Sequence, residues 1–123
     1  MQRDRMMAAC QGLPGAAEEY PFGDEVAVFK VGGKMFALVL LSGPVGSVSV
    51  KCDPAVAVAL RGQFAAVTAG YHLNKRHWNT VALDDSVPDE LVEEWLEHSY
   101  ELVVRGLPKA QRERLAWRDL ASE

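Results

Sequence analysis

VAVFKVGGKMFALVLL, residues 26–41, decides the fold. Both halves are rich in the β-branched, aromatic and aliphatic residues that suit a pleated, half-buried surface. The Gly32-Gly33 pair between them suits a type I′ turn, whose two central residues both require positive φ. The stretch therefore reads as a hairpin. With the turn at 32 and 33, Val31 faces Lys34, Lys30 faces Met35 and Phe29 faces Phe36, so the aromatic rings share one face and Lys30 lies on the other.

Downstream, the turn residues SGPVG lead into SVSVKC, residues 47–52, where Val48, Val50 and Cys52 alternate with Ser47, Ser49 and Lys51. That pattern predicts a third strand with one wet face, and Lys51 directed to solvent. Asp53 and Pro54 then stand as an N-cap and a first helical residue, opening a helix that runs to about Gly62. AVTAGYHLNKRHWNTVALDD, residues 66–85, holds too many Gly, Asn and β-formers for a helix. It reads as two short strands around a polar bend at Asn74 to Arg76.

From Ser86 the periodicity turns helical. Leu91, Val92, Trp95, Leu96, Ser99, Leu102 and Val103 form one stripe, with Asp89, Glu90, Glu93, Glu94, Glu97 and Glu101 around the rest. Ser86 is the expected cap, with Pro88 near the start, and a shorter helix follows the Gly106 and Pro108 break. At the other end, residues 3–12 read as a short helix stopped by GLPG, and AAEEYPFGDE, residues 16–25, as a loop. The order is helix, three strands, helix, two strands, helices, in one domain spanning residues 1–123. The expected fold class is α+β with two layers: an antiparallel sheet of about five strands covered by helices.

The 123 residues suffice for a core that needs no disulfide or metal, and 49% hydrophobic with 24% charged residues is ordinary for a soluble globular chain. No run approaches the roughly 18 apolar residues of a spanning helix, and MMAAC is too short for a secretory core. The expectation is a cytoplasmic protein with no membrane association. Cys10 and Cys52 lack metal or redox spacing and are expected as reduced, packed thiols.

The net charge of −4 argues against nucleic acid taken as a total, but its distribution does not. Residues 26–83 carry Lys30, Lys34, Lys51, Arg61, Lys75 and Arg76 against Asp53 alone, whereas both ends of the chain are acidic. The densest stretch is GYHLNKRHWNT, residues 70–80. His72 and His77 are five apart, which opposes them across a strand and separates them by about 140° on a helix, so no metal site is expected there. Nucleophile, phosphate-loop and dinucleotide motifs are missing, and the carboxylates of the last third read as a solvated face. No catalytic residue, metal or cofactor is therefore assigned. Lys30, Lys34, Lys51, Lys75, Arg76, His77 and Asn79 instead form a candidate phosphate-contacting set on strands and strand ends. Tyr71 and Trp78 bracket its densest part as stacking groups, where each stacked base adds ~1–3 kcal/mol.

LPGAAEEYPFG, VFKVGGKMFAL, VSVKCDP, GYHLNKRHWNTV and SYELVVRGLPK, in this order and spacing, resemble the MmcQ/YjbR family of small bacterial proteins over about residues 8–115. The resemblance implies a two-layer α+β fold of the kind shared with frataxin-like and secretion-chaperone-like domains. It also implies DNA binding, through β-hairpins likened to the wings of a double-wing motif, and brings no catalytic residues. Phe29 to Ala37 and Tyr71 to Thr80 are its characteristic segments here. Two other functions stay open: a protein-interaction or chaperone-like module that holds a peptide or partner on its sheet, and a small-molecule or phosphate-ligand site at residues 71–79.

Overall fold

The structure, a computed structural model, describes residues 1–70 and 73–122, so Tyr71 and His72 lie outside the described residues. In chain order the elements are α1 (Arg3–Gln11), β1 (Ala17–Glu19), β2 (Val26–Val31), β3 (Lys34–Leu40), β4 (Ser47–Lys51), α2 (Pro54–Gln63), β5 (Val67–Ala69), β6 (Trp78–Ala82), α3 (Asp89–Arg105) and α4 (Lys109–Ser122). The strands form one sheet in the order β1-β2-β3-β4-β6-β5, every neighbouring pair antiparallel. This is the α+β architecture expected, with one strand more.

The additional strand is β1. Its residues Ala17, Glu18 and Glu19 carry no β-forming signal and stay exposed, and they were expected in a loop. They become a strand through pairing, Ala17 opposite Lys30 and Glu19 opposite Val28.

The β2–β3 turn forms at Gly32 and Gly33, with φ of 57° and 79°, and Val31 faces Lys34 and Lys30 faces Met35 as expected. The pairing of Phe29 with Phe36 needs correction. A bulge between Phe29 and Lys30 sets Phe29 opposite Ala37 and leaves Phe36 as the extra residue. Both rings still reach the core, with centroids 6.3 Å apart, because a bulge re-aims a side chain without moving its strand.

The helices cover the sheet face bearing Ala27, Phe29, Val39, Val48, Val50 and Val81, all buried. Helix α3 lies over β3 and β4 and buries Val92, Leu96, Ser99 and Val103. These are four of the seven stripe positions, and Leu91, Trp95 and Leu102 are half-buried at its margins. Tyr100 meets Phe36 edge-on at 5.4 Å, a favoured aromatic arrangement. Helix α2 packs on β5 and β6. It starts as its sequence dictates, with the Asp53 side chain accepting from the Ala55 N–H at 3.0 Å and Pro54 in the first turn. Ser86, by contrast, does not cap α3: its hydroxyl donates to Asp84 Oδ1 at 2.5 Å, and Pro88 occupies the N-cap position.

Candidate nucleic-acid interface

Strand directions bring the basic residues together. Because Lys51 pairs with Trp78, and β2 and β3 meet at Gly32-Gly33, the end of β2, the start of β3, the end of β4 and the start of β6 share one end of the sheet. Lys30, Lys34 and Lys51 belong to these strand ends, and Lys75, Arg76 and His77 to the loop that runs into Trp78. The C-terminal turn of α3 arrives at the same end. Lys34, Met35, Lys51 and Trp78 line a cleft of about 310 Å³ together with Leu102, Val103 and Gly106.

Four further cations stand in the segment that leaves it, one of them, Lys109, 4.0 Å from Glu113. Arg105 closes α3, and Lys109, Arg112 and Arg114 lie in the first turns of α4. The start of α4 rests on the β2–β3 turn, where Gly32, Leu107, Gln111 and Arg114 line a second cleft of about 240 Å³. In the sequence these four are masked, because they stand among the acids of the last third. Glu97 and Glu101 lie further along α3 and Glu113 on α4, while several acids do gather at the opposite end: Asp84 and Asp85 follow β6, Asp24 and Glu25 precede β2, and Asp89, Glu90 and Glu93 begin α3. There Arg5 binds Asp89 at 2.9 Å and Glu93 at 2.7 Å, and the Met1 amine pairs with Asp85. Bases thus predominate at one end of the strands and acids at the other, although Asp53 follows Lys51 and Arg5 stands among the acids.

The expected contact residues do not all face this end in the same way. Lys34, Lys75 and Arg76 are exposed, and Lys51 and His77 half-buried. No ion pair joins Lys34, Lys51, Lys75 or Arg76 to an acid among the described residues. Lys51 is therefore less open than its wet-face position suggested. Lys30 lies on the sheet face away from the helices and is held by Glu19 at 3.2 Å, which neutralises it locally. Asn74 shapes the loop: its side chain accepts from the Arg76 N–H at 3.0 Å, and its carbonyl accepts from the N–H of Trp78 at 2.9 Å.

Two expected contacts are structural instead. Trp78 is 8% exposed, so it walls the cleft and offers no free ring face for stacking. Asn79 is 1% exposed on the helix-covered face and donates from Nδ2 to the Ala57 carbonyl at 3.2 Å, which ties β6 to α2. A side chain so enclosed cannot reach a phosphate. The register shows why: Trp78 shares the face of Lys51, whereas Asn79 pairs with Val50 and turns inward.

The two thiols are free. Cys10 is fully buried, which pushes its thiol up to about 12 from an ordinary 9.0; half-buried Cys52 is raised too, by desolvation and then by Asp53. Among the described residues no helix is long and apolar enough to cross a membrane.

The YjbR family model matches residues 11–102. The chain is 34% identical to the Escherichia coli K12 protein YjbR over 115 residues, 94% of this chain and 98% of that one. It is 34% identical to YbdF of Escherichia coli O157:H7 over 103 residues, 84% of each. Among solved structures, Deinococcus radiodurans protein DR2400, with its DUF419 domain, superposes with a TM-score of 0.85 at 42% identity, covering 92% of this chain and 86% of that one. A Pseudomonas syringae protein shares the fold with a TM-score of 0.73 at 24% identity, over 84% of this chain and 99% of its own.

Proposed function

The chain belongs to the YjbR family, and we propose that it is a non-catalytic nucleic-acid-binding protein, with DNA as the partner, that holds phosphates at the basic end of its sheet. One observation carries this reading: Lys34 and Lys51 line a single cleft, with the Lys75 and Arg76 loop running into its Trp78 wall and the first acids of α3, Asp89, Glu90 and Glu93, at the far end. A molecule of negative total charge escapes general repulsion from a polyanion when it presents one positive end, and its polarity orients the encounter. The contacts are to phosphate. Lysine and arginine ends place a backbone without reading bases, so sequence preference is not part of the proposal. Stacking on Trp78 is dropped from it, because that ring is enclosed.

Fluorescence anisotropy of a labelled duplex and a labelled single strand across a salt series tests the reading. Binding is expected to weaken linearly in log–log form as salt rises, by about 0.9 per phosphate contact on duplex and about 0.7 on single strands. Failure of both to bind at about 50 mM salt, where such contacts are strong, would overturn it.

A further inference from the structure

Phe22 is 69% exposed between β1 and β2, more than any other large apolar side chain among the described residues. Its loop holds it out on a tight turn, in which the Gly23 N–H donates to the Tyr20 carbonyl at 3.3 Å and Gly23 takes a φ of 98°. Pro21 in the second place and Gly23 in the fourth suit such a turn. A single exposed apolar residue is ordinary on a protein surface, but this one stands among charges of one sign. Asp24 and Glu25 follow it, both exposed and in no ion pair among the described residues.

The other end of β2 carries the complement. Met35, Trp78, Leu102 and Val103 wall the cleft of about 310 Å³, and Lys34 and Lys51 line it with no acid paired to either among the described residues. Pockets that hold whole small ligands begin at roughly 300 Å³, so one phenyl ring is accommodated. The Phe22 turn cannot fill its own cleft. It precedes β2 whereas the cleft lies past the last residue of that strand, roughly 20 Å away for six extended residues.

We infer that copies of this chain associate head to tail, with Phe22 of one seated in the cleft of the next and Asp24 and Glu25 set against Lys34 and Lys51. An apolar knob flanked by carboxylates fits an apolar cleft flanked by ammonium groups, and the opposite charges fix the orientation. This contact needs no nucleic acid, although phosphates and the Phe22 turn compete for the same lysines where both bind. A loop tip in a cleft is a smaller contact than the ~1,200–2,000 Å² of a stable pair, so association belongs to high protein concentration and low salt. Knob and cleft are different surfaces, so each added copy leaves one of each free, and the assembly grows as a row instead of closing as a twofold dimer.

Analytical ultracentrifugation of the protein without nucleic acid tests this. At low salt the weight-average mass is expected to rise steadily between micromolar and millimolar protein, and to return to that of the monomer at about 1 M salt, where screening acts within ~3 Å. Phe22→Ser removes the knob and Lys34→Glu reverses a charge at the cleft; both positions are exposed, so both variants are expected to fold. Each alone is expected to associate at least tenfold more weakly than the parent. Mixed in equal amounts they are expected to form a dimer that grows no further, because the intact knob of Lys34→Glu meets the intact cleft of Phe22→Ser. A parent mass independent of concentration, association undiminished in Phe22→Ser, or a mixture no larger than its parts would overturn the inference. None of these results alters the anisotropy of labelled DNA, so failure here is distinct from failure of phosphate binding.

Discussion

Ser99 donates its hydroxyl hydrogen to the carbonyl of Phe36 at 2.6 Å, from the middle of α3 to the first residues of β3. The same oxygen accepts from the Lys51 N–H at 2.8 Å. The β3–β4 ladder ends at the Ala37–Val50 pair, and Phe36 and Lys51 stand one position beyond it, at the point where the bulged strand departs from its register. One buried hydroxyl therefore bridges the end of the ladder and fixes α3 to the strand ends that carry Lys34 and Lys51.

Ser99→Ala is accordingly expected to cost about 2 kcal/mol or more, since it leaves two backbone groups short of a partner in a site with no exposure. Urea unfolding measures this. A midpoint equal to the parent's would mean that Phe36 and Lys51 close on each other unaided.

The hairpin turn offers a paired test. An added Cβ on Gly33 meets nothing within 4 Å, whereas on Gly32 it meets Leu107 and Gln111 side-chain atoms at 2.8 Å. Gly33→Ala carries only the cost of left-handed backbone, ~1–2 kcal/mol. Gly32→Ala adds displacement of the α3–α4 junction, so its thermal midpoint is expected below that of Gly33→Ala. The reverse order would deny that the turn and the junction are packed together.

Cys10 gives a pH signature. Burial raises its thiol to about 12 when folded, against an ordinary 9.0. The unfolded chain thus loses that proton first, so the stability held in the protonated thiol is complete below pH 9.0 and drains away as pH climbs toward 12. The slope contributed is ~1.4 kcal/mol per pH unit in that window. Cys10→Ala is expected to show a shallower alkaline decline than the parent. A maleimide at neutral pH is expected to label Cys52 while sparing Cys10 until urea opens the fold.

On the loop before β6, the exposed pair Lys75 and Arg76 provides a test of contact number. Substituting both with alanine should flatten the duplex salt slope by nearly two contacts, ~1.8 in log–log terms. An unchanged slope would move the interface off this loop.

The strands rich in Val and Phe, the Gly-Gly turn and the Asp53-Pro54 helix start were legible in the sequence because each is a local signal. β1 was not, because Ala17 to Glu19 have no intrinsic preference and are paired into the sheet by Lys30 and Val28. Ser86 looked like a cap, yet Asp84 two residues earlier captured its hydroxyl. The site was half visible. Lys34, Lys51, Lys75 and Arg76 announced themselves by type, whereas Asn79, between Trp78 and Thr80, could be placed inside only once its pairing with Val50 was known. Arg105, Lys109, Arg112 and Arg114 were hidden by counting charge along the chain. A 17-residue helix carries its first and last turns to opposite ends of the molecule, and so separates Asp89 and Glu90 from Arg105.

In the proposed interface, position and not charge number decides binding. Lys34 stands at the basic end, and Arg61 lies in the last turn of α2, which runs away from that end; neither has an acidic partner among the described residues. Lys34→Ala and Arg61→Ala each remove one positive charge. The most direct measurement is the salt slope of duplex binding for these two variants beside the parent. Lys34→Ala is expected to lose about 0.9 and Arg61→Ala nothing. Equal losses in both would contradict this, since binding would then follow net charge alone.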